Sequence, residues 1–210
     1  MTNCVLCKSA KTSQVVDGES RIYIDCAECG LISLSPEFRI SSDQEFARYQ
    51  LHNNSPDDPN YIQFLSRVVT PLQEHLQPGM LGLDYGCGPG PAIPIMLAKV
   101  DCKVQLYDPF FYPREFSSLD RFDFVISTET IEHFFDPAAE FLQITSLIRA
   151  GGFLALMTEI LDDSQDFASW WYIQDPTHVS FYRDKTFGWL AMSFGWTLIE
   201  ARRNVRIFRL

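Results

Sequence analysis

Hydrophobic positions recur along this chain at two periods, and together they divide it into strands and helices. Phe46, Tyr49 and Gln50 fall in one short helix, and Tyr61, Ile62, Leu65, Val68, Val69 and Leu72 repeat at helical spacing in a second. Pro71 lies near the end of that repeat, where it threatens the helix boundary. The stretch Asn53-Asn54-Ser55-Pro56-Asp57-Asp58-Pro59 between them is rich in turn residues and predicts a loop. Short apolar runs beginning at Met80 and covering Lys103 to Tyr107, Phe124 to Ile126 and Phe153 to Met157 predict strands, as do Trp196 to Ala201 and Val205 to Leu210. Ile93, Ile95, Met96 and Leu97 mark a helix after the first of these. Pro137 to Arg149 reads as another, with Phe141, Leu142, Ile144 and Leu147 inward and Gly151-Gly152 leading out of it.

Upstream of these elements the pattern is cysteine-led. Cys4 and Cys7 form one Cys-x-x-Cys pair, Cys26 and Cys29 a second, and eighteen residues separate the pairs. That spacing suits a four-thiolate structural zinc site, each pair making a turn that presents two sulfurs to a tetrahedral ion. Val15-Val16 and Arg21 to Asp25 predict two short strands joined at Asp17-Gly18, the outline of a zinc ribbon over residues 1–36. Four thiolates leave zinc no open position for water, so the expected role is structural. Ordinary buried cysteines or a redox dithiol are the alternatives.

The strand from Met80 runs directly into Asp84-Tyr85-Gly86-Cys87-Gly88-Pro89-Gly90, and a helix follows. Glycines at such a turn admit a ligand where a side chain would clash, and a helix start offers N–H groups to it. The next strand ends at Asp108, twenty residues after Gly88, where an acid accepts hydrogen bonds from ribose hydroxyls. These residues point to a nucleoside site.

Here the chain resembles the class I S-adenosylmethionine-dependent methyltransferases, whose first motif is an acid followed by Gly-x-Gly-x-Gly. The third glycine comes two positions after the second, not three as in dinucleotide-binding sites. The likeness continues through Arg121 to Pro137, with Phe124 to Ile126 as that family's fourth strand and then Glu129, Glu132 and His133. It covers roughly residues 79–210 and implies an α/β fold: a doubly wound, mostly parallel Rossmann-like sheet with an antiparallel last strand. It implies S-adenosylmethionine as cofactor, bound by Asp84, Tyr85, Gly86, Gly88, Gly90, Asp108, Pro109, Phe110, Thr128 and Glu129, with Glu129 toward the donor's methionine or sulfonium. Only fourteen residues separate Asp108 from Asp123. The family's third strand and its helix do not fit there, so Phe110, Phe111 or Tyr112 is expected to wall the adenine.

Methyl transfer needs alignment of the acceptor with the methyl group, and a base only where the acceptor is protonated. His133 and His178 are the candidate catalytic residues, since imidazole titrates near neutrality. From Phe167 to Trp196 ten of thirty residues are aromatic. Phe187, Leu190, Ala191 and Phe194 follow helical spacing and read as core, whereas Trp170 to His178 lacks a period and is expected to contact the acceptor, as part of an insertion at 160–182. Residues 37–78 read as a helical connector, with 46–56 a possible lid over the cofactor.

The chain has 210 residues and a formal net charge of −10, from 27 acids against 17 bases. That disfavours nucleic acid, whose phosphates are bound through displaced counterions. The Arg202, Arg203, Arg206 and Arg209 cluster is expected to face solvent. No apolar run reaches the roughly 18 residues of a membrane span, and Met1 to Cys7 lacks a secretory pattern, so a cytoplasmic protein is expected. The acceptor is expected to be small or carrier-linked. Some sugar methyltransferases join a cysteine-rich zinc module to this core, which makes a nucleotide-linked sugar one concrete possibility implied by the resemblance. A non-catalytic interaction protein and a nicotinamide-dependent oxidoreductase remain as alternatives.

Overall fold

The computed structural model describes residues 2–51 and 54–210. Among the described residues there are ten strands, which form two sheets, and five α-helices. The N-terminal sheet contains β1 (Thr12–Val16), β2 (Ile22–Cys26) and β3 (Ile32–Leu34), followed by α1 (Ser42–Tyr49) and α2 (Pro59–Gln73). The larger part runs β4 (Leu81–Tyr85), α3 (Ile93–Ala98), β5 (Lys103–Tyr107), β6 (Phe122–Thr128), α4 (Pro137–Leu147) and β7 (Ile148–Met157). It ends with β8 (Ser180–Phe181), α5 (Asp184–Phe194), β9 (Thr197–Arg202) and β10 (Val205–Arg209).

Local chemistry starts the helices where the sequence changes period. Ser41 and Gln44 make a reciprocal capping box at α1, Asp58 caps α2 with Pro59 in its first turn, and Asp136 caps α4 ahead of Pro137. Pro71 does not end α2, which runs two residues further to Gln73. Asp17 fixes the β1–β2 turn by accepting the backbone N–H groups of Glu19 and Arg21, each at 2.9 Å, and the Arg21 Nε at 2.6 Å.

The six-stranded sheet has the order β5-β4-β6-β7-β10-β9, with β5, β4, β6 and β7 parallel and β10 antiparallel to both neighbours. It is a mixed sheet dominated by parallel pairing, as in Rossmann-like methyltransferases. Residues 109–121 contribute no strand, so β5 is the sheet's edge; the only regular pairing there is an isolated bridge between Asp108 and Tyr112. Alternation along the central strands divides the core. Leu65, Val68 and Leu72 of α2 and Ile93 and Leu97 of α3 pack with Phe124, Ile126, Ala155 and Met157 on one face. Phe141, Ile144 and Leu147 of α4 and Phe187 and Leu190 of α5 pack with Val125, Leu154 and Leu156 on the other.

The four-stranded sheet has the order β1-β2-β3-β8 and so joins the N-terminal strands to the later part of the chain. Its fourth strand comes from the end of the aromatic insertion: Ile32 pairs with Phe181 and Ser33 with Ser180. Trp170 and Tyr172, expected at the acceptor, are instead buried with Phe167, Phe181, Tyr23, Ile32 and Leu34 in a common core, because β3 and β8 carry their apolar side chains onto them. Of the aromatic side chains in this segment only Trp171 is exposed, at 64%. Arg206, expected in solvent, is buried beside the Phe187 ring and paired with Asp184. No helix among the described residues is long and apolar enough to cross a membrane.

Candidate functional site

A cavity of about 840 Å³ opens at the carboxyl ends of β4, β5 and β6. The helix after β4 packs on one face of the sheet and the helix after β6 on the other, which leaves a crevice between these two strands. Such a switch point is where open α/β sheets bind ligands.

One wall is the turn after β4. Gly86 and Gly88 adopt φ of 82° and 63°, conformations that L side chains resist. A Cβ on Gly88 would meet nothing within 4 Å, so the backbone there faces open space. A Cβ on Gly90 would lie 2.0 Å from the Asn54 carbonyl oxygen; this glycine lets the segment before α2 close over the turn. Asp108 Oδ2 accepts the Gly88 N–H at 3.0 Å, and its Oδ1 accepts those of Phe110 and Phe111 at 2.9 and 3.1 Å. One carboxylate therefore ties the glycine turn to the aromatic wall.

Tyr85, Gly86, Gly88, Asp108, Pro109, Phe110, Thr128, Glu129, His133 and His178 all line the cavity. Asp84 and Gly90 do not. Asp84 sits beneath the turn at 1% exposure, its Oδ1 without a hydrogen-bond partner, and burial followed by the nearby Asp108 charge pushes its pKa up to about 8. Glu129, at the end of β6, has φ 48°, an uncommon backbone state of the kind that concentrates at functional sites. Its Oε1 is also unpartnered, and burial together with the Glu132 charge pushes this carboxyl up to about 9.

The opposite wall is polar. The 3₁₀ turn at residues 131–133 places Glu132 and His133 beside His178. Glu132 is fully buried; Thr158 donates to its Oε2 at 2.8 Å and the Tyr172 hydroxyl donates to its other oxygen. The Nδ1 of His133 lies 3.0 Å from the Thr177 carbonyl oxygen, and that of His178 lies 2.8 Å from the Tyr172 carbonyl oxygen. Burial lowers the pKa of His178. Tyr172 thus reaches the site through its hydroxyl and carbonyl while its ring belongs to the core.

The sequence reading left out Glu45 and gave Asp175 only as part of the stretch Trp170 to His178. Glu45 points into the cavity from α1 and accepts the Tyr49 hydroxyl at 2.7 Å; burial raises its pKa. Asp175 pairs with Arg48 at 2.8 Å, joining α1 to the insertion. Phe46 stacks on Phe110 at 5.5 Å, and Tyr49 meets the rings of Phe110 and His133. Helix α1 therefore covers the cavity. Of the possible lid at 46–56, residues 52 and 53 lie outside the described ones.

Cys4, Cys7, Cys26 and Cys29 converge separately, with all four sulfurs within 4.8 Å of one another. Cys4 and Cys29 Sγ are 3.5 Å apart, as are those of Cys7 and Cys26. Gly30 has φ 78° and donates its N–H to the Cys26 carbonyl at 2.9 Å, closing the second turn.

A family model described as a methyltransferase domain matches residues 58–201. The chain belongs to this methyltransferase family. Solved structures share the fold of this methyltransferase. The Burkholderia thailandensis 1,6-didemethyltoxoflavin-N1-methyltransferase, bound to 1,6-didemethyltoxoflavin and S-adenosylhomocysteine, aligns with a TM-score of 0.53 at 14% identity, over 95% of this chain and 99% of that one. Phosphoethanolamine N-methyltransferase 2 of Haemonchus contortus, bound to phosphomonomethylethanolamine and S-adenosylhomocysteine, gives 0.53 at 17% identity over 79% of this chain and 46% of that one. An O-methyltransferase family protein from Burkholderia thailandensis gives 0.53 at 12% identity, over 82% and 62%. The methyltransferase thus spans about half to two thirds of the latter two. No curated protein matches it in sequence.

Proposed function

We propose that this methyltransferase takes S-adenosylmethionine as donor, methylates a small or carrier-linked acceptor, and holds a structural zinc ion on Cys4, Cys7, Cys26 and Cys29. The observation that carries the donor assignment is the turn at Gly86 and Gly88, which lines the cavity, opens onto it at Gly88 and is tied by Asp108 to the Phe110 wall. S-adenosylmethionine supplies a methyl group on a sulfonium. Gly88 admits a ligand against its backbone, where no side chain intervenes. Asp108 uses three of a carboxylate's roughly four acceptor positions on backbone N–H groups, which leaves capacity for a ribose hydroxyl. Phe110 offers a flat apolar face for adenine. The orphaned Glu129 Oε1 suits the donor's ammonium, which would offset the cost of its burial. Two of the aligned structures contain S-adenosylhomocysteine, in support of this reading.

His133 and His178 line the cavity on the side away from the glycine turn, where they contact the acceptor. Seven carboxyl side chains and no Lys or Arg are among the described residues lining the cavity. A phosphate on the acceptor, as on a nucleotide-linked sugar, therefore remains outside it. The same charge pattern speaks against nucleic acid as acceptor.

The cysteine cluster fits zinc by its donor set. A tetrahedral ion with Zn–S bonds of about 2.3 Å needs all four sulfurs gathered, and here they are gathered without a disulfide. All six cysteines are unpaired, which supports a reducing, cytoplasmic setting.

The test is calorimetric titration of the zinc-replete protein with S-adenosylhomocysteine. One-site binding in the range of about 1 to 100 μM is expected. An absence of binding overturns the donor assignment.

A further inference from the structure

We propose that Glu132, His133 and His178 form a binding site for a divalent transition-metal ion on the acceptor side of the cavity. Its place in methyl transfer rests on the donor assignment above; the site itself rests on the three side chains.

The imidazoles are oriented for this. A carbonyl oxygen only accepts hydrogen bonds, so the contacts from His133 Nδ1 to Thr177 and from His178 Nδ1 to Tyr172 place the proton on Nδ1 in both rings. The lone pair of each neutral ring is then on Nε2. Anchoring one ring nitrogen on the main chain while the other binds is how metal-ligating histidines are held.

The carboxylate is held likewise. Glu132 is 0% exposed, and its two oxygens are fixed by the Thr158 and Tyr172 hydroxyls. It makes no ion pair with Lys or Arg among the described residues, and Glu129 adds a second acid beside it. Buried carboxylates persist when they are paired or coordinate a cation. A divalent ion meets that need where the chain supplies no basic side chain.

The spacing is compatible. One ligand atom from each residue lies within 4.8 Å of the others, so a common point exists within about 2.8 Å (4.8/√3) of all three. Bonds of about 2.0 to 2.2 Å require only a small inward shift. Two imidazoles and one carboxylate suit zinc, manganese, iron or cobalt in preference to the all-oxygen surroundings of magnesium or calcium. With three protein ligands, positions remain open toward the cavity.

The ion's use is to bind an acceptor hydroxyl and make it more acidic. The O–H proton leaves to water, the oxygen attacks the methyl carbon, and the carbon–sulfur bond breaks with its electron pair retained by sulfur. The site thereby indicates an oxygen acceptor.

The experiment uses the full chain with one zinc already on the cysteines, titrated with Co²⁺ by calorimetry and visible absorption. One additional Co²⁺ is expected, with weak visible bands and no thiolate-to-cobalt charge-transfer band. Its affinity is expected to fall at least tenfold in His178→Ala and His178→Gln, and to hold in His75→Gln. No additional ion, a thiolate band, or equal binding in both His178 variants overturns the proposal. Should His178→Ala fail to fold, His178→Gln and the wild-type spectrum decide it. Parallel titration with S-adenosylhomocysteine separates the two readings: cobalt binding without it sinks only the donor assignment, and the reverse result sinks only the metal site.

Discussion

Val179 donates its backbone N–H to the carbonyl oxygen of Glu132 at 2.8 Å, and its own carbonyl accepts the N–H of Leu34 at 2.8 Å. One residue thus stands between the N-terminal sheet and the turn that carries Glu132 and His133. The aromatic insertion is a splice between the two sheets, and this explains why most of its rings are buried.

Trp170 and Trp171 separate a core role from an acceptor role. Trp170 lies in the core at 5% exposure, whereas its neighbour is 64% exposed. Trp170→Ala is expected to cost about 3–5 kcal/mol, the range for deleting a buried large aromatic. Trp171→Ala is expected to stay within about 0.5 kcal/mol of wild type. Urea unfolding of the two variants checks both.

The glycine turn gives a second contrast. A Cβ on Gly86 would lie 2.1 Å from Thr130 Cγ2 and 2.8 Å from its Cβ. Thr130 is held in turn by hydrogen bonds to the Gly86 and Thr128 carbonyls, so it has little room to yield. Gly86→Ala is therefore expected to lower stability by more than the roughly 1–2 kcal/mol of left-handed strain alone. Gly88→Ala carries only that strain, and remains folded while losing S-adenosylhomocysteine. Thermal denaturation and calorimetry on the same preparations distinguish the two failures.

How far these features were legible depends on how local they are. The cysteine pairs, the glycine turn and Asp108 are spacings within one segment, and the structure gathers each of them as the spacing implies. The central strands between Leu81 and Met157 were legible because they are short apolar runs, and the structure buries them nearly continuously. Strand β8 was not: two residues, Ser180 and Phe181, carry no periodic signal, and their partner Ile32 is about 150 residues away. Without that pairing, Trp170 and Tyr172 look like a binding surface. Glu45 was hidden for a related reason, since an acid on a short polar helix resembles a solvated face until α1 folds onto Phe110. Asp84 and Gly90 match the motif, yet they support the turn from beneath and behind.

Asp108 is expected to matter beyond any direct contact with ribose. Removing its carboxylate frees the Gly88, Phe110 and Phe111 N–H groups together. Asp108→Ala should weaken S-adenosylhomocysteine at least tenfold, or about 1.4 kcal/mol. Asp108→Asn keeps one acceptor oxygen and should lie between the two. Calorimetric affinities in that order support the tie; an alanine variant that binds like wild type removes it.

Asp84 makes stability depend on pH in an unusual direction for a carboxyl group. Its folded pKa is raised to about 8 by burial and then by Asp108, against an ordinary value of 3.8. Between these values the unfolded chain has released this proton and the folded chain retains it. Raising the pH therefore favours unfolding, by an amount approaching roughly 1.4 kcal/mol per unit, and the loss ends above pH 8. Asp84→Asn removes the titration while keeping the shape. The midpoint of urea unfolding should fall from pH 6 to pH 8 in wild type and fall less in the variant; parallel curves would refute the assignment.

The cysteine cluster should be felt well beyond its own turns. Arg183, just before α5, holds the Asp25 carboxylate with two hydrogen bonds at 2.8 and 3.0 Å and also donates to the Gly30 carbonyl at 3.0 Å. Strand β2 leads from Asp25 through β3 to β8, and from there Val179 reaches Glu132. Cys26→Ser is expected to lose the proposed zinc and the order of this sheet, at several kcal/mol. Arg183→Ala should keep one zinc per chain and lose about 1–3 kcal/mol through the half-buried pair alone. The decisive measurement is metal content beside urea unfolding. If Cys26→Ser proves as stable as wild type, the N-terminal sheet does not depend on the ion, and the cluster's convergence serves packing instead.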